Sequence, residues 1–513
     1  MSTSSSRTGS ARRKSAPSPL RAPLAIRRIA RRRAAAPRTT SPRQALTALG
    51  VSIGSFASLQ SLLVPVLPVM QGDLGTDAVG ITWALTIWLI VAAVATPLLG
   101  RAGDLYGKRR IFLIALAAVA AGSIVAALAP NLGVLLGGRA LQGIGGAMFP
   151  LGFGLVRDVL PAPRVAGGIG ILSALMAVGS GIGTVFAGPL ATAIGWRGLF
   201  ILPLAGVTIG AILVLRGVPA ADRAVGGRIN IPSALLLSAW LVALLLPLST
   251  GSAWGWGSPF VIGLFVLAAA LLAAWIAVEL RAREPLVDVR MMRLPGVWNA
   301  NAAAMLVGAA MFGVWAFFAR FIQEPVSTGY GFGGTVTTAG LVMLPMLVLM
   351  ALAGFFTGPL TRILSLRAQL VAGTALIAVP TAGIALLHGS LWMLTAEAAL
   401  LGLGLGITMA ALTNLVIGSV PVHQTGVAAG MNSNLRTIGS AVGTALAAAI
   451  ITGSAAAPGG EPTEQGYTTG FLVLAALAAG AAVVALLSRP ARVEATEVLV
   501  ETPIGEGELQ PAR

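Results

Sequence analysis

The sequence has no cysteine, which excludes disulfides, thiolate metal sites and cysteine nucleophiles. Its two histidines, His388 and His423, are too few for most metal-site patterns. Charge is also scarce. Asp, Glu, Lys and Arg make up 10% of the 513 residues, against about 25% in average soluble domains. That is too little to cover a water-facing surface, and it excludes an ordinary cytosolic enzyme. Acid is the scarcer sign: 17 Asp and Glu stand against 34 Lys and Arg, for a net charge of +17. What fills the chain instead is apolar, with 56% hydrophobic residues.

A basic excess of this size suggests nucleic acid, but its distribution does not support that partner. Residues 1–44 hold twelve basic residues and no acid, and the stretch 489–513 holds three Arg and five Glu. Subtracting +12 and −2 from +17 leaves +7 for the middle. The first segment is rich in Ser, Arg, Ala and Pro and has nothing with which to build a core. It is expected to be a disordered basic tail, as 489–513 is expected to be a second tail. No cleavage site of small residues follows the first apolar run, so 1–44 does not read as a secretory signal.

From residue 45 the pattern changes to long apolar runs with short breaks. A helix needs roughly 20 apolar residues to cross a bilayer. Fourteen runs meet or approach that length: 45–69, 80–100, 111–129, 133–155, 167–189, 198–216, 231–249, 259–280, 298–322, 337–359, 368–388, 391–418, 425–453 and 467–488. With the N-terminus inside, fifteen cations fall on inward loops and Arg197 alone on outward ones. Loop cations favour the cytoplasm, so both termini are expected there.

The chain also repeats. Val178-Gly-Ser-Gly-Ile-Gly-Thr184 aligns with Ile438-Gly-Ser-Ala-Val-Gly-Thr444 at an offset of 260, and Gly100 and Arg109 align with Gly358 and Arg367 at 258. The expected fold is an all-α membrane protein with two pseudo-symmetric six-helix halves, 45–216 and 282–488. Two inserted helices fill 217–281, giving 6+2+6.

Three motifs carry the mechanism. Gly100-Arg-Ala-Gly-Asp104-Leu-Tyr-Gly107-Lys108-Arg109-Arg110 packs one acid and several cations into a short turn, where they can meet helix termini of the other half. Arg139-Ala-Leu-Gln142-Gly143 lies in the fourth run, and Gly179-Ser-Gly181-Ile-Gly183-Thr-Val-Phe-Ala-Gly188-Pro189 in the fifth. Together they resemble motifs A, B and C of the major facilitator superfamily, with Ala102 and Leu105 departing from the usual residues of the first. Three motifs in order, with two inserted helices, are similar to the fourteen-helix drug/proton antiporter family over about residues 45–488. The resemblance implies conformational gating by Gly100, Asp104, Gly107, Lys108, Arg109, Gly179, Gly183, Gly188 and Pro189. It also implies proton antiport; the glycine spacing itself gives only close packing and a possible bend.

A charge inside the membrane is costly and should face a cavity or a partner. Arg139 is such a charge, and Glu397 falls within two residues of its depth at the 260 offset. The pair is expected to serve proton coupling, with Arg139 tuning Glu397. Arg436, about mid-membrane, joins Gln60, Gln142, Phe149, Met176 and Trp315 as a candidate for the substrate cavity; Trp83, Trp88, Asn301 and Thr408 are further candidates. Arg320, Gln323 and Glu324 read as an outer gate or an interfacial belt. The family's acid in the first helix is missing: the position falls at about Leu59, beside Gln60. Few acids in the cavity argue for neutral, zwitterionic or weakly charged substrates. No phosphate-binding loop occurs, so ATP drive is not indicated. The expected function is export of hydrophobic drugs or antibiotics through the plasma membrane, as a monomer that exchanges protons for a small molecule, with no cofactor, metal or nucleic acid. The alternatives are a dedicated exporter of an endogenous metabolite, antibiotic or lipid, and a non-transporting scaffold or sensor.

Overall fold

A computed structural model describes residues 41–63, 66–76, 78–219, 228–283, 285–287, 289–421, 424–455 and 461–487. The two expected tails lie almost wholly outside the described residues, as does His423. Among the described residues there are helices and turns but no strand. Such a chain must satisfy its backbone within each segment if it is to sit in lipid, and the helix does so.

Fourteen helical segments fill the positions read from the sequence. They are α1 Pro42–Ser61, α2 Ala78–Tyr106, α3 Lys108–Ala127 and α4 Leu132–Val159. A continuous helical run, Ala162–Gly217, supplies α5 (162–194) and α6 (196–217), divided at Gly195 (φ 70, ψ 165). Next come α7 Ile231–Trp254, α8 Pro259–Arg281, α9 Pro295–Gln323 and α10 Val336–Leu360. The last four are α11 Leu366–Leu386, α12 Leu391–Gly418, α13 Thr425–Thr452 and α14 Glu464–Leu487. The turn read at 190–197 is thus a single left-handed glycine.

Helix starts follow side chains that accept the orphan N–H groups of a first turn. Ser41, Asn131, Asn230, Ser258, Thr335 and Ser365 each do so, and Ser41 with Gln44 completes a capping box. Thirteen helices among the described residues are long and apolar enough to cross a membrane. The remaining position is α1, whose Ser52, Ser55, Ser58, Gln60 and Ser61 lower its apolarity. It is buried nonetheless: Ala48, Leu49, Ile53, Phe56 and Leu59 join the core of the first half. The first run expected at 45–69 is split, with a short helix at Leu67–Asp73 after α1.

Two apolar cores correspond to the two halves. One is built mainly from α1–α6. The other is built from α9–α14 and includes Leu237, Trp240, Leu241 and Leu245 of the inserted α7, with Ile90 and Ala93 of α2. The internal repeat is legible in the packing. Gly179 and Gly183 of α5 lie on the carbonyls of Gly54 and Ser58 in α1, and Gly439 and Gly443 of α13 lie on those of Met305 and Ala309 in α9. Arg109 donates to Leu215 O (2.8 Å) at the end of α6. Its repeat partner Arg367 donates to Ala485 O (3.2 Å) and to Leu486 O at the end of α14. Each half closes its last helix with the same arginine, as cations favour helix C-termini.

Candidate functional site at the seam between the halves

The halves meet where α2 crosses α13. A Cβ on Gly100 would lie 2.6 Å from Gly426 O, and one on Gly426 2.6 Å from Gly100 O, so only glycine lets the backbones approach this closely. One turn beyond Gly100, Asp104 is 4% exposed. It accepts from the N–H groups of Gly426 (3.2 Å) and Val427 (3.1 Å), in the first turn of α13. A carboxylate against a helix N-terminus satisfies orphan donors and the helix dipole together. Lys108 sits 3.8 Å from Asp104 and 3.0 Å from Asp158. Gly107 (φ 99, ψ 118) makes the turn that brings Lys108 back.

Arg157 completes the contact from α4. Its Nη1 donates to Ile417 O (2.6 Å), Val420 O (3.0 Å) and Thr425 Oγ1 (3.0 Å). Asp104 therefore caps the start of α13 while Arg157 caps the end of α12. Both contacts join first half to second. Deeper along the seam, Asn434 Nδ2 donates to Ala93 O at 2.8 Å.

Arg139 is 1% exposed. Its Nε donates to Ala84 O (2.9 Å) and Nη1 to Gln142 Oε1 (2.6 Å), and its guanidinium lies 5.6 Å from the Trp88 ring centre. Gln142 Nε2 passes the chain on to Ser123 Oγ at 3.0 Å. This network ties α4 to α2 and α3 within one half. Gln142 is fully buried there and does not face the substrate cavity assigned to it from sequence. Glu397 lies elsewhere, on α12 against the α11 backbone at Gly383. No ion pair among the described residues joins it to Arg139. The structure does not bring the expected pair together, because equal depth in a repeat fixes height along the helices and not which side each residue faces.

Between the halves lies a narrow, nearly closed cavity of about 10 Å³, room for roughly one water, lined by Phe149, Pro150 and Phe153 of α4, Thr413 and Val416 of α12, and Ala429, Asn432, Ser433 and Arg436 of α13. Of the cavity residues read from sequence, Phe149 and Arg436 line it. Gln60, Met176 and Trp315 do not; Met176 packs against the first core, and Trp315 stacks on Phe312 at 6.3 Å. Thr408 is fully buried, and Trp83 packs against Trp254 at 6.3 Å.

The Major Facilitator Superfamily model matches residues 48–236, 221–444 and 303–507. The chain belongs to the major facilitator superfamily. It is therefore a membrane transport protein and not an enzyme, as its relatives also indicate. It is 27% identical over 404 residues to the multidrug transporter protein MdtP of Bacillus subtilis, covering 77% of this chain and 73% of that one. It is 28% identical to the tetracenomycin C resistance and export protein of Streptomyces glaucescens (78% and 74% covered). It is 30% identical to the puromycin resistance protein pur8 of Streptomyces alboniger (87% and 90% covered). The human organic anion transporter MFSD10 shares the fold, with a TM-score of 0.66 at 15% identity over 87% of this chain and 99% of that one. These relatives support the resemblance to multidrug efflux transporters drawn from the motifs.

In this major facilitator chain the remaining motif residues are placed as follows. Gly179 and Gly183 pack on α1 inside the first half, while Gly188 and Pro189 are exposed. Arg320 pairs with Glu324 (3.2 Å), which accepts from Tyr467 OH (2.7 Å), so this group ties α9 to α14 within the second half and not across the seam. Asp158 and the cross-half role of Arg157 were not anticipated. A signal was present: Arg157 stands 260 residues before Ile417, the repeat's own offset, whose carbonyl it binds.

Proposed function

We propose that this chain exports hydrophobic drugs or antibiotics across the cytoplasmic membrane in exchange for protons, by alternating access, with both termini in the cytoplasm. One observation carries the reading. The halves are joined at one end through helix termini, Asp104 on α13 and Arg157 on α12, and not only through apolar packing. Charge–dipole contacts of this kind break and reform without dismantling either core. Lys108, Arg109, Arg110 and Arg164 crowd the same end, so the preference of loop cations for the cytoplasm supports its assignment as the inner face. With the clamp closed, access from the cytoplasm is shut; opening it exposes the Arg436 cavity to a substrate entering from inside.

Glu397 is the carboxylate assigned to the proton. It lies within α12, half-buried, and is in none of the ion pairs among the described residues. Arg139 holds the first half together and takes no direct part. One charge crossing 100 mV releases about 2.3 kcal/mol, enough to drive a useful gradient. The test is accumulation of a panel of hydrophobic drugs in an efflux-deficient bacterial host. Lower accumulation that a protonophore abolishes is expected, and Glu397→Gln should remove the protonophore-sensitive part. If no compound shows protonophore-sensitive efflux, the proposal fails. Export of one endogenous compound is the second reading. It is favoured by relatives named for single antibiotics, the tetracenomycin C protein and a probable actinorhodin transporter. Retention of a single native metabolite in a deletion strain, with drug susceptibility unchanged, would select it.

A further inference from the structure

Among the described residues, Arg436 is a cation without an anion. It lies eleven residues into α13, about 16 Å from the helix start at 1.5 Å per residue. Its Nη1 meets Met409 Sδ at 3.5 Å and its Nη2 meets Ser433 Oγ at 3.3 Å, both neutral acceptors. None of the five ion pairs among the described residues includes it. Among the described residues, the acids on the helices around it are held elsewhere. Glu397 is twelve residues from Met409 along α12, about 18 Å away. Asp104 is held ten residues back at Gly426, about 15 Å along α13, and Asp158 is taken by Lys108. Arg436 nevertheless lines the cavity between the halves, as do Phe149, Phe153, Asn432 and Ser433.

A full charge held at mid-membrane with no counter-charge is expensive, and a carboxylate or phenolate brought to it would form a charge-assisted bond in a low-dielectric site. Two phenylalanines offer an apolar wall for a ring system. We propose that the substrates of this cavity are amphipathic organic anions, an aromatic body carrying one acidic group, with Arg436 as the counter-ion. The proposal rests on the reading of this cavity as the transport site and narrows its substrate class.

The experiment measures binding of two dyes with the same xanthene body, anionic fluorescein and cationic rhodamine 6G, by fluorescence anisotropy on the full chain in nanodiscs. Binding needs no turnover, so its outcome is separate from that of efflux. Fluorescein is expected to bind more tightly than rhodamine 6G. Arg436→Gln should weaken fluorescein by roughly tenfold or more, about 1.4 kcal/mol per decade, Arg436→Lys by less, and rhodamine 6G not at all. The comparison of the two dyes on the unaltered protein holds even if Arg436→Gln fails to fold. The proposal is overturned if rhodamine 6G binds more tightly than fluorescein, if neither dye binds, or if folded Arg436→Gln binds fluorescein unchanged. Arg436-dependent binding without protonophore-sensitive efflux would count against the transport reading and leave the anion site standing.

Discussion

Two seams join the halves, and the repeat makes them counterparts. On one, Gly100 of α2 meets Gly426 of α13; on the other, Gly358 of α10 meets Gly167 of α5. The crossings are alike, but the residues around them differ. The α2–α13 seam carries Asp104 on a helix N-terminus, Arg157 on a helix C-terminus and Asn434 on Ala93 O. At the 258 offset the place of Asp104 is taken by Arg362, which is exposed. Glycine and apolar groups dominate the α5–α10 contacts, with Gly170 against Gly354 and Thr357 and Gly181 against Leu347. One seam carries discrete polar bonds between the halves, and the other is mainly glycine and apolar contact.

The largest effect should come from prying the α2–α13 seam open sterically. Gly100→Val places its branched side chain into the Gly426 carbonyl, where both partners are backbone and neither can yield. We expect transport to be lost. Gly167→Ala on the other seam has its nearest neighbour, Gly358 Cα, at 3.5 Å, an ordinary contact, and should keep most of its activity. Equal loss in efflux assays of the two variants would erase the distinction between the seams.

Removing the Asp104 charge without changing its shape is the next test. Asp104→Asn leaves at most one acceptor for two N–H groups and removes the anion from the α13 N-terminus. Such charge–dipole contacts are worth about 0.3–2 kcal/mol, enough to shift a two-state balance by up to roughly thirtyfold. The chain has no cysteine, so a single Thr413→Cys reports exposure of the cavity cleanly. Maleimide labelling of that site from the Asp104 end should speed up in Asp104→Asn. Arg157→Lys, which retains the charge but ends in an ammonium in place of the guanidinium nitrogen Nη1 that meets all three acceptors, should speed it less. No change in either variant would mean that these bonds do not hold the seam.

Much of this was legible in the sequence because it is local or periodic. Helix positions follow from apolar runs, the turn at Gly107 from its glycine, and the two halves from the 258–260 offset. Asp104 was expected at a helix terminus of the other half, and it lies on the α13 N-terminus. The remainder depends on azimuth. Gln142 and Arg139 share one buried network because they are three residues apart on the face of α4 turned toward α2 and α3, and nothing in the run of letters says which face that is. Two of the three acceptors of Arg157 are carbonyls, which every residue carries, so beyond the 260 offset to Ile417 they leave no mark in the side-chain pattern.

The smallest effect should come from a polar contact of similar geometry that does not cross the seam. At the end of the first half opposite Asp104, Asp73 accepts from Trp196 Nε1 (2.8 Å) and Arg197 Nη1 (2.9 Å), and Arg197 Nη2 reaches Ala129 O (3.1 Å). The Trp196 hydrogen bond first, and then Arg197, hold the Asp73 carboxyl below its usual range. A carboxylate lowered in the folded state contributes stability above its unfolded pKa, near 3.9, and loses it as pH falls through the folded value. The site is exposed, so the contribution is slight and screened by salt. Asp73→Asn should therefore lower the melting temperature a little at pH 7, by the same amount at pH 5, and by progressively less below about pH 4. Efflux should be unchanged within about twofold, roughly 0.4 kcal/mol, because every group involved lies on the same half and moves with it. A melting difference that grows as the pH falls would reverse the sign of this contact. A loss of efflux as large as that of Asp104→Asn would show that crossing the seam is not what makes a polar contact matter here.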